Sequence, residues 1–243
     1  HREHPLRVHI QGNWPEKVII QRGWHRSVAR PWNDDLPLAH LRLERGSAAF
    51  LADCAEALLS TPGVTGVLSP PLLPAARAPW EAAGFALHSR LLLLRRELDT
   101  LGKPAHPVNT EDPADLIEAQ TIDRAAFEPL WRLGEPGLRD ALAATRRSAL
   151  LFARRPSGEA MGFSIIGTGI ALAYLQRLAV APAAQSAGVG RSLLRAAGHW
   201  AHAQGARAIL ANTPADNRPT ASFYESEGFQ IVTRDLVVLG RLA

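Results

Sequence analysis

The stretch from residue 174 to residue 194 constrains the fold most, because it reads as a buried strand, a sharp glycine turn and then a helix. The turn has the pattern Q-x-x-G-x-G over residues 185–190. Gly188 and Gly190 lack side chains, so the backbone N–H groups there can approach an anion closely. The following helix directs the positive end of its dipole at the same point. We therefore predict a pyrophosphate site that needs no lysine.

The segments after this turn predict a helix, a strand, a second helix and a final strand. The first helix spans residues 190–205 and ends at a glycine, which suits a C-terminal cap. The strand covers residues 208–211, the second helix begins near Pro219, and the last strand covers residues 231–239. Neither a Gly-Lys-Ser/Thr sequence nor a G-x-G-x-x-G pattern is present at the turn. The pattern is therefore neither a P-loop nor a dinucleotide fingerprint.

This order of elements resembles the GNAT superfamily of N-acetyltransferases from about residue 108 to the C-terminus. The matching parts are the strand at 176–180, the loop at 185–190, Asn217 and the run F-Y-E-S-E-G-F at 223–229. The resemblance implies an α/β fold with a mixed central sheet flanked by helices, whose central strands splay apart to admit acyl-CoA. It also implies acetyl-CoA as the cofactor and an amine-bearing acceptor, either a small molecule or a protein amino group.

The resemblance further implies roles for individual residues. Tyr224 matches the tyrosine that protonates the departing sulfur in the family, and Tyr174 stands where many relatives carry a glutamate base. No acidic residue lies between 170 and 184, so Tyr174 is a candidate relay, or only a strand aromatic. The predicted cofactor-binding set comprises Leu178, Ala179, Val180, Gln185, Ser186, Ala187, Gly188, Val189, Gly190, Arg191, Ser192, Asn217 and Tyr224.

Candidates for the missing base and for the acceptor pocket come from the first helical region of this half. Asp123, Phe127 and Trp131 are spaced i, i+4 and i+8, which predicts a common helical face. The carboxylate could pair with an ammonium or relay its proton, and the aromatics could make cation–π contacts. The alternative is an aromatic stripe that faces the core. Glu128 and Glu135 are further carboxylates in the same region.

The first hundred residues contain a degenerate copy of the second half. The sequence W-E-A-A-G-F at 80–85 precedes an apolar strand at 86–94, just as Y-E-S-E-G-F at 224–229 precedes one at 230–239. Upstream, the pattern predicts strands at 8–11, 18–21, 41–43 and 66–68, with a helix at 47–59. We interpret this as a duplicated fold with a truncated first copy. The predicted division is 1–98, a linker at 99–107, and a GNAT acetyltransferase domain at 108–243.

The first copy lacks the chemistry of the second. Its loop position has one glycine and the unfavourable Glu44, and Trp80 replaces the tyrosine. An indole can donate a hydrogen bond but cannot release a proton for catalysis. We therefore predict that the first copy binds no CoA.

Charge and composition set weaker expectations about partners. The net charge of +4 could suit an acidic ligand or nucleic acid, although a solvated arginine-rich surface is the preferred interpretation. Trp14, Trp24 and Trp32 near arginines could also suggest nucleic-acid binding, but core packing is favoured. No apolar run is long enough to cross a bilayer. Neither a membrane nor nucleic acid is therefore expected as a partner, and the oligomeric state is left open.

Cysteine and histidine usage bound the location and the metal chemistry. Cys54 is the only cysteine in the sequence, so an intrachain disulfide is excluded and a reducing cytoplasm fits. A small buried thiol is expected at this position. No signal peptide is visible, although the first residue is His1 and a lost leader stays open. His199 and His202 have no third ligand nearby in sequence, so we predict no metal.

Two functions are compatible with the sequence. The first is an acetyl-CoA-dependent N-acetyltransferase in which a primary amine attacks directly within a ternary complex. The second is a catalytically weak or inactive acyl-CoA-binding protein with a regulatory or interaction role. The missing base and the degenerate copy keep the second function open. The sequence neither names the acceptor nor chooses acetyl over a slightly larger acyl group.

Overall fold

The computed structural model describes residues 8–243, which cluster into two compact units. The first unit comprises the residues up to Leu91 together with Arg234–Ala243, and the second comprises Leu92–Thr233. The predicted division at residues 98 and 107 follows chain order, whereas each compact unit takes a strand end from the other half of the chain. The boundaries of the duplication remain a prediction. Residues 1–7 of the first predicted domain lie outside the described residues.

Helices separate groups of strands along the described residues, with short 3-10 helices at Pro74–Ala76, Pro129–Trp131 and Pro182–Ala184. In chain order the elements are β1 (His9–Gln11), β2 (Val18–Arg22), β3 (His25–Pro31), β4 (Leu38–Arg45), α1 (Ala48–Leu59), β5 (Gly66–Leu68), α2 (Ala78–Ala82), β6 (Ala86–Glu97), β7 (Val108–Glu111), α3 (Ile117–Ala126), α4 (Glu135–Ala143), β8 (Arg147–Arg154), β9 (Ala160–Thr168), β10 (Leu172–Val180), α5 (Val189–Ala203), β11 (Ala208–Pro214), α6 (Arg218–Ser226) and β12 (Gln230–Leu242).

The first unit is a sheet with α1 packed against it. Strands β1 to β4 pair antiparallel in sequence, β4 pairs parallel with β5, and β5 pairs antiparallel with the end of β12. The hydroxyl of Ser47 accepts a hydrogen bond from the N–H of Phe50 (3.2 Å) and so begins α1. Phe50, Leu51 and Leu58 from this helix are buried in the core of the unit.

The second unit has helices on both faces of its sheet. Strands β7 to β10 pair antiparallel, β10 pairs parallel with β11, and β6 lies beside β11. On one face, Ile165 packs in a core with residues of α3 and α4, including Ile122 and Leu138. On the other face, Ile166 packs with Leu194 and other residues of α5. The alternation of neighbouring residues between the two cores is the period-two pattern of a fully buried strand.

The two copies of the G-F turn have the same geometry. The N–H of Phe85 donates to the carbonyl of Trp80 (3.1 Å), and the N–H of Phe229 donates to that of Tyr224 (3.0 Å). Each aromatic pair is edge-to-face, with ring centroids 5.0 and 5.1 Å apart. In both copies four strand pairings follow the same sequence of three antiparallel and one parallel. The mixed α/β fold and its duplication are therefore confirmed.

The truncation of the first copy is a missing pair of helices. In the second unit α3 and α4 separate the first two strands, whereas residues 12–17 join β1 directly to β2. The five strands β7 to β11 of the second copy all have counterparts in the first copy, β1 to β5. One of these counterparts, β3, was not predicted from the sequence.

Two expectations about the first unit had different outcomes. The thiol of Cys54 is fully buried beside the Ser27 hydroxyl (3.3 Å), which confirms the prediction of a small buried thiol, and burial raises its pKa to about 11. The core-packing prediction is wrong for Trp24, which is 64% exposed, whereas Trp14 packs against the core. Over residues 8–243, none of the helices is both long and apolar enough to span a membrane.

Candidate active site

The two central strands of the second unit form a fork. β10 and β11 pair only from Leu172 with Ala208 to Tyr174 with Leu210, although both strands continue beyond that point. On its other edge β10 stays paired with β9 as far as Val180. Because backbone groups point alternately to the two edges of a strand, some groups of residues 175–180 face the opening that β11 leaves. Such groups can pair with an extended amide chain.

The glycine loop lies at the end of β10 and begins α5. Gly188 is the N-cap in the left-handed conformation (φ 81°), and no side chain caps the helix. The first intrahelical bond of α5 runs from the N–H of Ser192 to the carbonyl of Gly188 (3.1 Å). The N–H groups of the preceding helical residues therefore have no acceptor within the helix. Together with the helix dipole they suit a pyrophosphate.

Several side chains predicted to bind the cofactor are engaged within the protein. The amide of Gln185 donates to the carbonyl of Val180 (3.2 Å) and closes the loop onto the end of β10. Ser192 is 1% exposed, and its hydroxyl accepts the N–H groups of Ala105 (3.2 Å) and His106 (3.0 Å). Val189 is buried in the core. Ser192 and Val189 are therefore left with their backbone groups for contact with a cofactor.

Two further predicted residues hold helices in place. Arg191 pairs with Glu227 (2.6 Å), which also binds Arg195 (2.9 Å), so one buried carboxylate joins α5 to the end of α6. Asn217 caps α6, because its side-chain oxygen accepts the N–H of Thr220 (3.3 Å). The sequence did not single out Glu227, although it belongs to the Y-E-S-E-G-F run.

Tyr224 lies on α6 and is 5% exposed. Its ring packs against Phe223 and Phe229. Burial raises the pKa of the Tyr224 phenol above its ordinary value, and the positive charge of Arg177 acts in the opposite direction. The phenol therefore keeps its proton at neutral pH, as a proton donor must.

Asp123 is placed differently from the prediction. It is fully buried on α3; one oxygen accepts the Arg177 Nε–H (2.6 Å) and the other accepts the N–H of Leu133 (2.8 Å). Both carboxylate oxygens therefore have partners inside the protein. Pairing with an acceptor ammonium would therefore require Asp123 to release Arg177, and its expected role towards the acceptor stays a prediction.

The predicted helical face through Phe127 and Trp131 is wrong. α3 ends at Ala126, Phe127 is extended, and Trp131 lies in the 3-10 turn that begins at Pro129. The guanidinium of Arg177 nevertheless brings these residues together. Its carbon lies 3.5 Å from the Phe127 ring centre, and its Nη2 donates to the Trp131 carbonyl (2.6 Å).

The remaining acceptor-side candidates are less enclosed. Tyr174 is 36% exposed at the last pair before the fork opens. Glu135 pairs with Arg139 at 2.8 Å.

Over residues 8–243 the structure shows no group of three or more His, Cys, Asp or Glu side chains arranged to hold a metal. The imidazole Nε2 of His199 bonds to the carbonyl of Gly102 (2.9 Å).

Comparison with known proteins agrees with this geometry. Residues 146–231 match the acetyltransferase (GNAT) domain family. Over 97 residues, 37% of the chain, the sequence is 32% identical to the aminoglycoside N(6')-acetyltransferase type 1 of Klebsiella aerogenes. This match spans 64% of the length of that enzyme.

Solved structures extend the likeness of fold to both units. A tandem GNAT protein from the clavulanic acid biosynthesis pathway superposes with a TM-score of 0.62 at 16% identity, over 98% of this chain and 84% of its own. A GNAT-family protein from Novosphingobium aromaticivorans superposes with a TM-score of 0.57 at 20% identity, over 92% of this chain and 90% of its own. The C-terminal region of the chain is thus similar to GNAT acetyltransferase domains, and the chain shares its fold with a tandem GNAT protein.

Proposed function

We propose that the second unit binds acetyl-CoA and transfers its acetyl group to a primary amine that attacks directly within a ternary complex. The observation that carries this proposal is the fork between β10 and β11 with the uncapped start of α5 at the end of β10. The edge of β10, including Leu178 and Val180, is proposed to pair with the pantetheine chain. The first turn of α5 is proposed to hold the pyrophosphate. The bound cofactor supplies the activated thioester.

Tyr224 is the proposed proton donor to the leaving thiolate. An ordinary thiol has a pKa of about 8.5 and an ordinary phenol one of about 10, so this transfer is uphill before the site acts on it. Burial raises the pKa of Tyr224 further, which makes the donor weaker. The nearby charge of Arg177 offsets part of this cost by stabilising the phenolate.

The acceptor amine must lose its proton before it attacks. Since residues 170–184 contain no carboxylate and both oxygens of Asp123 are engaged, we assign this proton to solvent. Tyr174, at the point where the fork opens, is the proposed hydrogen-bonding group for that water. The sequence match to an aminoglycoside acetyltransferase makes an aminoglycoside amine the first acceptor to test, before protein amino groups.

The alternative function is acyl-CoA binding without turnover. It is favoured by one observation, namely that β10 carries no carboxylate and that both oxygens of Asp123 are engaged within the protein. It predicts measurable affinity for acetyl-CoA with no acetylated product from any amine.

The test is an assay of thiol release from acetyl-CoA across a panel of aminoglycosides, small amines and peptides, with the product identified by mass. Tyr224→Phe is expected to keep the acetyl-CoA dissociation constant, because the ring still packs between Phe223 and Phe229. Its kcat is expected to fall by about 10² or more, the usual contribution of a positioned acid. Equal kcat values in the wild type and the variant would remove Tyr224 from the mechanism.

A further inference from the structure

A segment outside the matched GNAT residues runs along α5 to the glycine loop. We call residues 101–106 the strap. Its carbonyls at Gly102 and Lys103 accept hydrogen bonds from His199 (2.9 Å) and Arg195 (3.1 Å) of α5. Its N–H groups at Ala105 and His106 donate to the buried hydroxyl of Ser192. The strap therefore follows the helix back towards its first turn.

The start of the strap is fixed by close packing. Leu101 lies over Gly198, where an added Cβ would stand 2.2 Å from the Leu101 Cδ2 atom. No residue larger than glycine fits at that position without a shift. Packing at one end and hydrogen bonds along the length hold the strap in register with α5.

The strap ends in a hydrogen bond to the loop itself. The Nε2 atom of His106 lies 2.7 Å from the carbonyl oxygen of Ala187. A carbonyl can only accept, so the imidazole carries its hydrogen on Nε2 and donates it. The His106 ring also borders Gly188, whose added Cβ would lie 3.8 Å from the same nitrogen.

This bond orients one peptide of the loop. A trans peptide is planar, so its C=O and N–H groups point in opposite directions. With the Ala187 carbonyl turned towards His106, the N–H of Gly188 points away from the strap. Gly188 holds this orientation in the left-handed conformation that leads into α5.

We propose that His106 is a positioning residue for the phosphate groups of acyl-CoA, because it holds the Ala187–Gly188 peptide with its N–H directed at the anion. The inference rests on the proposed function of the loop. It extends the site from the matched domain, residues 146–231, to a side chain that precedes it in the chain. The inference has a selective consequence. The affinity for a thioester that carries a pyrophosphate depends on His106, whereas the affinity for a thioester that lacks the pyrophosphate does not.

The experiment compares His106→Phe, which keeps a planar ring without the donor, with His106→Gln, whose amide can donate. Binding of acetyl-CoA is measured by calorimetry, and binding of S-acetylpantetheine, which lacks the pyrophosphate, by NMR titration into the millimolar range. We expect His106→Phe to weaken acetyl-CoA by about 3- to 10-fold, the range of one net hydrogen bond, and to leave S-acetylpantetheine unchanged. His106→Gln is expected to restore the affinity to within about twofold of the wild type.

Three outcomes would overturn the inference. Unchanged acetyl-CoA affinity in His106→Phe would show that the loop needs no such support. Equal losses for both ligands would mean that His106 has a general structural role. A wild-type chain that binds S-acetylpantetheine but not acetyl-CoA, or neither, would remove the proposed function together with this inference, whereas the first two outcomes leave the proposed function intact.

Discussion

Removal of the Asp123 carboxylate tests the revised role of this residue as the counter-charge of Arg177. Asp123 is fully buried, the Arg177 side chain is 13% exposed, and their closest N–O distance is 2.6 Å. Asp123→Ala leaves the guanidinium without its charge partner and the N–H of Leu133 without its acceptor. Both groups then lack a partner, and solvent reaches them poorly.

The size of the effect follows from these contacts. Breaking a buried ion pair on one side costs about 3–5 kcal/mol of the free energy of unfolding. Arg177 keeps the Trp131 carbonyl and the Phe127 ring, which places Asp123→Ala near the lower end of that range. Asp123→Asn retains an oxygen that can accept from Leu133, so we expect it to cost less than the alanine variant.

Urea denaturation at constant m-value measures the difference, with exposed Asp99→Ala as the control that should stay near the wild type. An Asp123→Ala loss below about 1 kcal/mol, the scale of an exposed ion pair, would refute the buried-pair argument. Activity gives a second check once an acceptor is found. Loss of the acidic limb of the kcat–pH profile in Asp123→Asn would show that this carboxylate takes the proton after all.

Two further predictions concern the loop and the exchanged strand ends. Gly188→Ala and Gly158→Ala place alanine at similar positive φ values (81° and 92°), so each should lose about 1 kcal/mol of stability, but only the first should weaken acetyl-CoA in calorimetry. Equal affinities would contradict the loop assignment. A chain beginning at residue 92 keeps the end of β6, with Leu92 and Leu94 in the second core, whereas one beginning at residue 108 loses it. Cooperative thermal unfolding is expected only of the longer chain, and similar transitions in both would show that this strand end is dispensable.

Local signals predicted the features that depend on neighbouring residues. The apolar run before Gly188 predicted β10, and the glycines predicted the turn into α5. The repeated G-F turn predicted the duplication, because its geometry depends on a glycine at positive φ followed by a ring that packs back onto the helix. The predicted 66–68 strand corresponds to β5 as observed.

Two predictions are wrong where local sequence signals conflict. β3 contains His25, Arg26 and Arg30, which hid its buried centre from a hydrophobicity pattern. Pro129 was a visible reason to end the helix, because the residue before a proline is driven to an extended conformation, as Glu128 is. The i, i+4, i+8 spacing therefore predicts a helix that does not continue to this proline.

Long-range partners could not be read from the sequence. Asp123 and Arg177 are 54 residues apart, and nothing local to either residue names the other. An arginine within the apolar strand L-A-Y-L-Q-R-L-A-V did signal that a buried partner was needed. The exchange of strand ends between the two halves likewise depends on pairings across most of the chain.

The most direct test of the central claim is calorimetric titration of acetyl-CoA into the wild type and Gly190→Glu. A Cβ at Gly190 would meet Val180 and Phe223 at 3.4 and 3.9 Å, which is ordinary contact, and a carboxylate in the first turn favours the helix. The variant should therefore fold while repelling a pyrophosphate, and Gly190→Ala serves as its uncharged control. We predict one acetyl-CoA per chain for the wild type and no measurable binding for Gly190→Glu. Two sites per chain, or unchanged affinity in the folded Gly190→Glu variant, would contradict the account.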